Sequence, residues 1–263
     1  MGTSQSKPSA KPGSPLIPSW AEQDPPPPGA PQPQPQPPQN EEILEPRRTT
    51  GLRRALKDYL KTGDERIGRR ALGHYARGSA GGGAAGAARL GRAARIGGQV
   101  FGALSGAGRG EAPAPGSFDI STLAGQPVAD AIAAIVDAFC PPGILDEDTI
   151  RASLAESLAE ALAGADQFDP TALDNYTVVV AMRCFVAEMV FAAVAAEQGQ
   201  AAANIPPAQA VARENDLRDI VRELTDVKAT PALQQAAGPL SQANIETLVR
   251  QIAADVIAEM ATW

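Results

Sequence analysis

Residues 176–196 read YTVVVAMRCFVAEMVFAAVAA, the most apolar stretch of this 263-residue chain. Apolar residues occupy most sides of a helix drawn through it, which is typical of a helix buried in a core. The stretch is long enough to span a bilayer. However, Arg183 and Glu188 lie in its middle, and each costs about 2.5–3.5 kcal/mol at a bilayer centre. We therefore predict a central core helix and no membrane partner.

On both sides of this stretch, apolar residues recur at helical spacing within residues 118–263. Asp169-Pro170 is a helix-start pair that we expect to open the central helix, and Pro206-Pro207 and Ser241 mark the starts of the next two. No alternating β-branched runs occur. The fold class predicted for residues 118–263 is an acidic all-α bundle, so the chain as a whole is mostly α.

Residues 47–110 form a basic, Gly/Ala/Arg-rich helical segment in this prediction. Thr50 is expected to cap a helix that ends at Gly63, and Asp64 to cap a second helix that contains His74. Beyond it, residues 79–110 are rich in glycine, which costs about 1 kcal/mol per residue in a helix relative to alanine. A helix there needs a close partner, which we expect to be either the acidic part of the chain or phosphates.

Residues 1–46 are predicted to be a disordered Pro-rich tail, and residues 111–117 (EAPAPGS) a linker. Pro25–Pro38 reads PPPPGAPQPQPQPP, in which neither helix nor sheet can form because proline lacks an N–H donor. A polyproline II conformation at about 3.1 Å per residue would extend this run over roughly 40 Å. It would hold the first residues of the chain away from the helical body.

Charge is distributed unevenly along the chain. Residues 47–110 carry 14 Lys/Arg and 3 Asp/Glu, a net charge of +11, whereas residues 111–263 carry 7 and 22, a net charge of −15. The basic segment can bind an acidic protein surface or the phosphates of a nucleic acid. Aromatic residues are sparse there, so base stacking is not prominent. The candidate partner- or phosphate-binding residues are Arg53, Arg54, Arg69, Arg70, Arg77, Arg89, Arg92 and Arg95.

The sequence contains no pattern typical of a catalytic or metal site. With one histidine and two isolated cysteines, a zinc site is not expected. The glycines at 81–83 lack the G-K-[ST] ending of a phosphate-binding loop. His74 lies in an Arg-rich helix, where we expect a packing role. We predict a protein that is not an enzyme, with no catalytic residues, no metal and no cofactor.

The first residues, Met1-Gly2-Thr3-Ser4-Gln5-Ser6-Lys7, are small and polar. Gly2 is small enough for Met1 to be removed, which leaves a free α-amine. Met-Gly-x-x-x-Ser also matches the N-myristoylation pattern, but that reaction needs a eukaryotic transferase. No apolar segment follows the start, so a secretory signal is not expected, and we predict a cytoplasmic protein.

Several segments, in this order, resemble the family of the Qat anti-phage defence system associated protein QatB of bacteria. They are Met1–Ser6, Gly13–Ala21 (GSPLIPSWA), Arg70–Arg77 (RALGHYAR) followed by Gly-rich sequence, and Gly143–Arg151 (GILDEDTIR) within a helical C-terminal half. The resemblance covers nearly the whole chain. Its motifs are not catalytic signatures, so their specificity comes from their co-occurrence.

The resemblance implies a non-enzymatic component of an antiviral defence system. Its partners would be a QueC-like enzyme (QatC type), a KAP-type ATPase (QatA type) and a TatD-like nuclease (QatD type). A QueC-like enzyme could conjugate a 7-deazaguanine base to a protein α-amine. Gly2 would then be the modification acceptor, and Thr3, Ser4, Gln5 and Ser6 the residues read by the enzyme. The alternative is a nucleic-acid-binding adaptor that uses the basic residues 47–110.

Overall fold

The computed structural model describes residues 49–141, 147–235 and 241–263. These residues are mainly helical, with a single isolated β-bridge between Pro127 and Gln167, so the predicted all-α fold class is confirmed. The predicted tail, residues 1–46, lies outside the described residues. The helices are α1 (Thr50–Thr62), α2 (Glu65–His74), α3 (Gly83–Arg89), α4 (Gly91–Gly108), α5 (Val128–Phe139), α6 (Glu147–Ala161), α7 (Asn175–Ala196), α8 (Pro207–Gln235) and α9 (Gln242–Met260).

The apolar stretch forms α7, around which α4, α6, α8 and α9 pack. Among the described residues, α7 is the helix long and apolar enough to cross a membrane, and two thirds of its most apolar window (67%) is buried inside the protein. Phe185 is fully buried and meets Phe101 of α4 edge-on, with ring centroids 5.6 Å apart. The helix therefore lies in the core, as predicted.

The glycine-rich segment forms α3 and α4, and both pack against α9. The helices approach closely because glycine has no side chain to separate them. A Cβ placed on Gly98 would lie 3.0 Å from Cβ of Glu246, and one on Gly102 would lie 2.9 Å from Cα of Gln242. The partner that this segment needs is thus the last helix of the same chain.

An α1–α2 hairpin precedes these helices and packs on α8 and α9. The turn is at Gly63, in the left-handed region with φ 69°, and the Asp64 side chain accepts from the N–H of Arg66, as expected for an N-cap. Leu52 and Tyr59 of α1 are buried, whereas the opposite face of α1 is exposed and basic. After α2 the chain continues as a π-helical segment, Tyr75–Ser79.

Two helix starts differ from the sequence prediction. Thr50 is the first residue of α1, and Thr49 occupies the N-cap position without a side-chain capping bond. Asp169-Pro170 opens only a 3-10 turn, because Leu173 leaves the helical region (φ −77°, ψ 74°) and buries its side chain. α7 then begins after Asp174, whose side chain accepts from the N–H of Thr177.

Residues 111–117, predicted to be a linker, are exposed in the structure. Buried residues from both sides of this stretch, such as Phe101 and Phe185, belong to one hydrophobic cluster. The described residues form one compact unit. The basic and acidic parts of the chain therefore share a core, although they differ in charge.

Candidate functional site

Of the residues predicted from sequence to carry function, Gly2 and Thr3–Ser6 lie outside the described residues. The eight arginines all lie within them: on α1, on α2 and its π-helical continuation, and on α3 and α4. The structure does not gather them into one patch. They divide into arginines that bind helix ends, arginines paired with carboxylates, and arginines exposed to solvent.

Three of the arginines donate hydrogen bonds to backbone carbonyls at the ends of helical segments. Nε of Arg53 donates to the carbonyl of Glu197, the C-cap of α7, at 3.1 Å. Arg77 donates to the carbonyl of Ala261, the C-cap of α9, at 2.5 Å. Arg89 donates to the carbonyl of Ser79. The last carbonyls of a helix have no partner within the helix, and they carry partial negative charge. These arginines therefore satisfy and neutralise helix ends.

Two further arginines pair with carboxylates. Arg92 of α4 forms an ion pair with Glu147, whose side chain is only 8% exposed at the start of α6. Arg69 forms an ion pair with Glu65 at 2.7 Å, and its guanidinium carbon lies 4.8 Å from the centre of the Trp263 ring. Only the first pair joins the basic part of the chain to the acidic part. The pairing expected from net charge is thus made mostly with backbone carbonyls.

Arg54, Arg70 and Arg95 are exposed and form no ion pair with another described residue. Arg54 lines an open groove of about 590 Å³ between the first turns of α1 and the loop after α7. We call this the α1 groove, and its lining residues are Thr50, Arg53, Arg54, Lys57, Gly199, Gln200 and Ala201. Three of these carry positive charge and none carries negative charge.

A charge cluster built around one buried carboxylate was not predicted from the sequence. Glu188 of α7 is nine-tenths buried and pairs with Arg222 of α8 at 2.9 Å and with Arg218 at 3.4 Å. Arg222 also reaches Glu156 and Glu160 of α6, at 3.4 and 3.5 Å. We call these five side chains the α6–α7–α8 charge cluster. A charged residue inside the apolar stretch was its only signal in the sequence.

The thiols and the histidine have environments that suit packing. Burial raises the pKa of the Cys184 thiol to about 12 and also raises the pKa of Cys140. Such thiols stay protonated and unreactive near neutral pH. His74 is the last residue of α2, and its ring lies against Gly51 of α1. Its pKa is lowered first by burial and then by Arg77 and Arg70.

These contacts define a class of protein: an all-α bundle in which arginines join helices through carboxylates and backbone carbonyls. Within residues 49–141, 147–235 and 241–263, no group of three or more metal-ligating side chains comes together.

The chain belongs to the family of the Qat anti-phage system associated protein QatB, whose family model matches residues 81–258. This confirms the resemblance stated from the sequence. The match begins at Gly81, just before α3, and runs through most of α9; α1, α2 and Gly2 lie outside it. No curated protein and no solved structure matches the chain.

Proposed function

We propose that this protein is a non-enzymatic component of its anti-phage system and that the α-amine of Gly2 accepts a 7-deazaguanine base from a QueC-like enzyme. The observation that carries the proposal is membership of the QatB family, together with a chain start, Met-Gly-Thr-Ser-Gln-Ser, that has a small second residue. Thr3 to Ser6 would lie in the groove of the enzyme and be read by it.

The proposed step is an acyl transfer. The enzyme uses ATP to activate the carboxyl group of a 7-carboxy-7-deazaguanine. The nitrogen of Gly2 attacks the activated carbonyl carbon, a C–N bond forms, and the bond to the activating phosphate group breaks. The nitrogen loses a proton, and the product is an amide between the base and the protein terminus. A QueC enzyme uses ammonia as the attacking nitrogen, which the α-amine replaces here.

The α-amine of Gly2 is the amine best suited to this attack in the first 46 residues. An α-amine has a pKa near 8, so a useful fraction is neutral at pH 7, whereas a lysine amine has a pKa near 10.4 and is almost fully charged. Lys7 and Lys11 are the competing amines in this part of the chain. Gly2 also lacks a side chain that could hinder the approach of the base.

The helical body would serve as the interaction module that delivers this terminus. Its exposed surface would contact the QueC-like enzyme, and the KAP-type ATPase and TatD-like nuclease are the further partners proposed. The ATP-dependent reaction places the protein in the cytoplasm in this proposal. Co-purification of the full chain with each partner tests these contacts one at a time.

Intact-mass measurement after co-expression with the QueC-like enzyme tests the acceptor. We expect loss of Met1 and a gain equal to the 7-deazaguanine acid less one water, with fragment ions that locate the gain on Gly2. Gly2→Leu should retain Met1 and carry no base, because a large second residue blocks removal of Met1.

The matched control is Lys7→Arg, which removes the nearest competing amine and should leave the adduct unchanged. Ser4→Ala and Gln5→Ala should lower the yield if the enzyme reads these side chains. An unmodified wild-type terminus, or an adduct that is lost in Lys7→Arg and kept in Gly2→Leu, would overturn the proposal.

The structure limits which arginines could serve the alternative function, a nucleic-acid-binding adaptor. Arg77, Arg89 and Arg92 each use a terminal guanidinium nitrogen to bind groups of the protein itself, so they are poorly placed to neutralise phosphates. Among the described residues, Arg53 binds the end of α7 through Nε alone, which leaves its terminal nitrogens for a ligand. The exposed cations of the α1 groove are the part of the basic segment that still favours this function.

A further inference from the structure

We infer that the α1 groove is a binding site for the phosphodiester backbone of a nucleic acid. This function would be additional to the proposed role of Gly2 and does not depend on its modification. The groove carries an excess of positive charge, its wall anchors Arg53, and its described lining contains no carboxylate and no aromatic side chain.

The charge of the groove is unbalanced. Arg53, Arg54 and Lys57 line it together, and no carboxylate is among the lining residues that belong to the described part of the chain. Arg54 and Lys57 are exposed and form no ion pair within the described part of the chain. Asp58, the nearest acidic residue in sequence, is not part of the lining. Three cations in one concavity, two of them without an ion-pair partner among the described residues, raise the local concentration of anions.

The wall of the groove holds one of these cations, Arg53, in place. Arg53 and Lys57 are one helical turn apart on α1, about 6 Å along the axis. Arg53 is anchored through Nε on the carbonyl of Glu197 at 3.1 Å. Gly199 makes room for it: with φ +56°, a Cβ there would lie 3.1 Å from Nε of Arg53. The partly positive N-terminus of α1 lies at the same end of the helix as these side chains.

The chemistry of the lining favours phosphates over a protein partner. Among the described residues, no aromatic or large apolar side chain lines the groove. It therefore lacks the buried anchors that dominate protein interfaces and the stacking platforms that hold bases. Contacts between cations and phosphates are sufficient for sequence-independent binding to nucleic acid, without any other anchor. The expected ligand is thus a backbone of regularly spaced phosphates.

The test uses the full-length, unmodified protein and a fluorescein-labelled DNA duplex in a fluorescence-polarisation titration at several salt concentrations. Three phosphate contacts predict a slope of log K against log salt of about −2.7. Binding should then weaken about 40-fold between 50 and 200 mM salt. In Arg54→Ala/Lys57→Ala one contact remains, and the loss over the same range should fall to about 4-fold. Arg53 is kept, because it also binds the end of α7.

The matched control is Arg70→Ala/Arg95→Ala, which removes two exposed arginines outside the groove and should keep the 40-fold salt dependence. A second duplex of unrelated sequence should bind equally well. Titration with single-stranded DNA will show whether the groove prefers the duplex or the single strand. Arg54→Gln/Lys57→Gln provides a second groove variant, and circular dichroism of each variant checks that the helices are intact.

Three results would overturn the inference. One is absence of binding to the duplex at 50 mM salt. Another is equal loss of binding in the groove variant and the control, which would indicate general attraction to the basic surface. The third is binding of poly-glutamate with the same affinity and the same dependence on Arg54 and Lys57, which would assign the groove to an acidic protein.

Discussion

Replacing Arg222 with methionine should destabilise the fold strongly, because it removes the nearer of the two cations that pair with Glu188. The Glu188 side chain is only 9% exposed, and its remaining cation, Arg218, lies 3.4 Å away. Breaking a buried ion pair by removing one member typically costs about 3–5 kcal/mol. For a domain of this size that corresponds to a decrease in Tm of about 6–20 °C.

Removing the other member of the pair, by Glu188→Leu, should lower the free energy of unfolding by less, about 1–3 kcal/mol. Arg222 would keep Glu156 and Glu160 within 3.5 Å, and its side chain is 28% exposed, so water can solvate it. Urea unfolding followed by circular dichroism measures both variants, and an unchanged m-value shows that the two free energies of unfolding are comparable.

Arg183→Met is the control for this pair. Arg183 also joins α7 to α8, at 2.7 Å from Asp226, but the carboxylate is 52% exposed. Its loss should cost less than about 1 kcal/mol. If Arg222→Met proved no more destabilising than Glu188→Leu, or than this control, the account of the cluster as a buried carboxylate held by Arg222 would be refuted.

Two further predictions concern packing and pH. Gly108→Ala should destabilise the protein by about 1–3 kcal/mol, since a Cβ there would lie 1.9 Å from the carbonyl oxygen of Leu173; Gly91→Ala, with nothing within 4 Å of its Cβ, should be neutral or stabilise by up to about 1 kcal/mol in the same unfolding assay. The folded-state pKa of Cys184 is raised from 9.0 to about 12, so the native state retains a proton that the unfolded state loses, and stability should fall as pH rises from 9 towards 12. Cys184→Ala should flatten this part of the pH profile; an identical slope in the variant would assign the loss to other groups.

The helices could be predicted where local signals were strong. The apolar run of α7 specifies burial on most sides, and the side chain of Ser241 accepts from the N–H of Asn244 at the start of α9, as a capping residue should. The start of α7 was misplaced because Asp169 and Asp174 are both competent caps. Only the burial of Leu173 decides between them, and burial depends on residues distant in sequence.

The contacts of the arginines could not be predicted for a different physical reason. Arg53 and Arg77 bind backbone carbonyls. Every residue has a backbone carbonyl, so the sequence cannot reveal which one is the partner. Net charge pointed towards carboxylates, but among the described residues only two ion pairs join the basic part to the acidic part, Arg92 with Glu147 and Arg109 with Glu111. Likewise, the sequence indicates that Glu188 is unusual, but only packing shows that Arg222 lies beside it. Gly2 and Thr3–Ser6 stay predictions, as they lie outside the described residues.

The two helix ends bound by Arg53 and Arg77 also constrain how the chain is made. Arg53 and Arg77 leave the ribosome early, but their partners at Glu197 and Ala261 follow 144 and 184 residues later. Until then, the apolar face of α1, with Leu52 and Tyr59, has only α2 to cover it. The hairpin can therefore dock only after almost all of this sequence has been translated, and a stalled or clipped chain would display that face to chaperones and proteases.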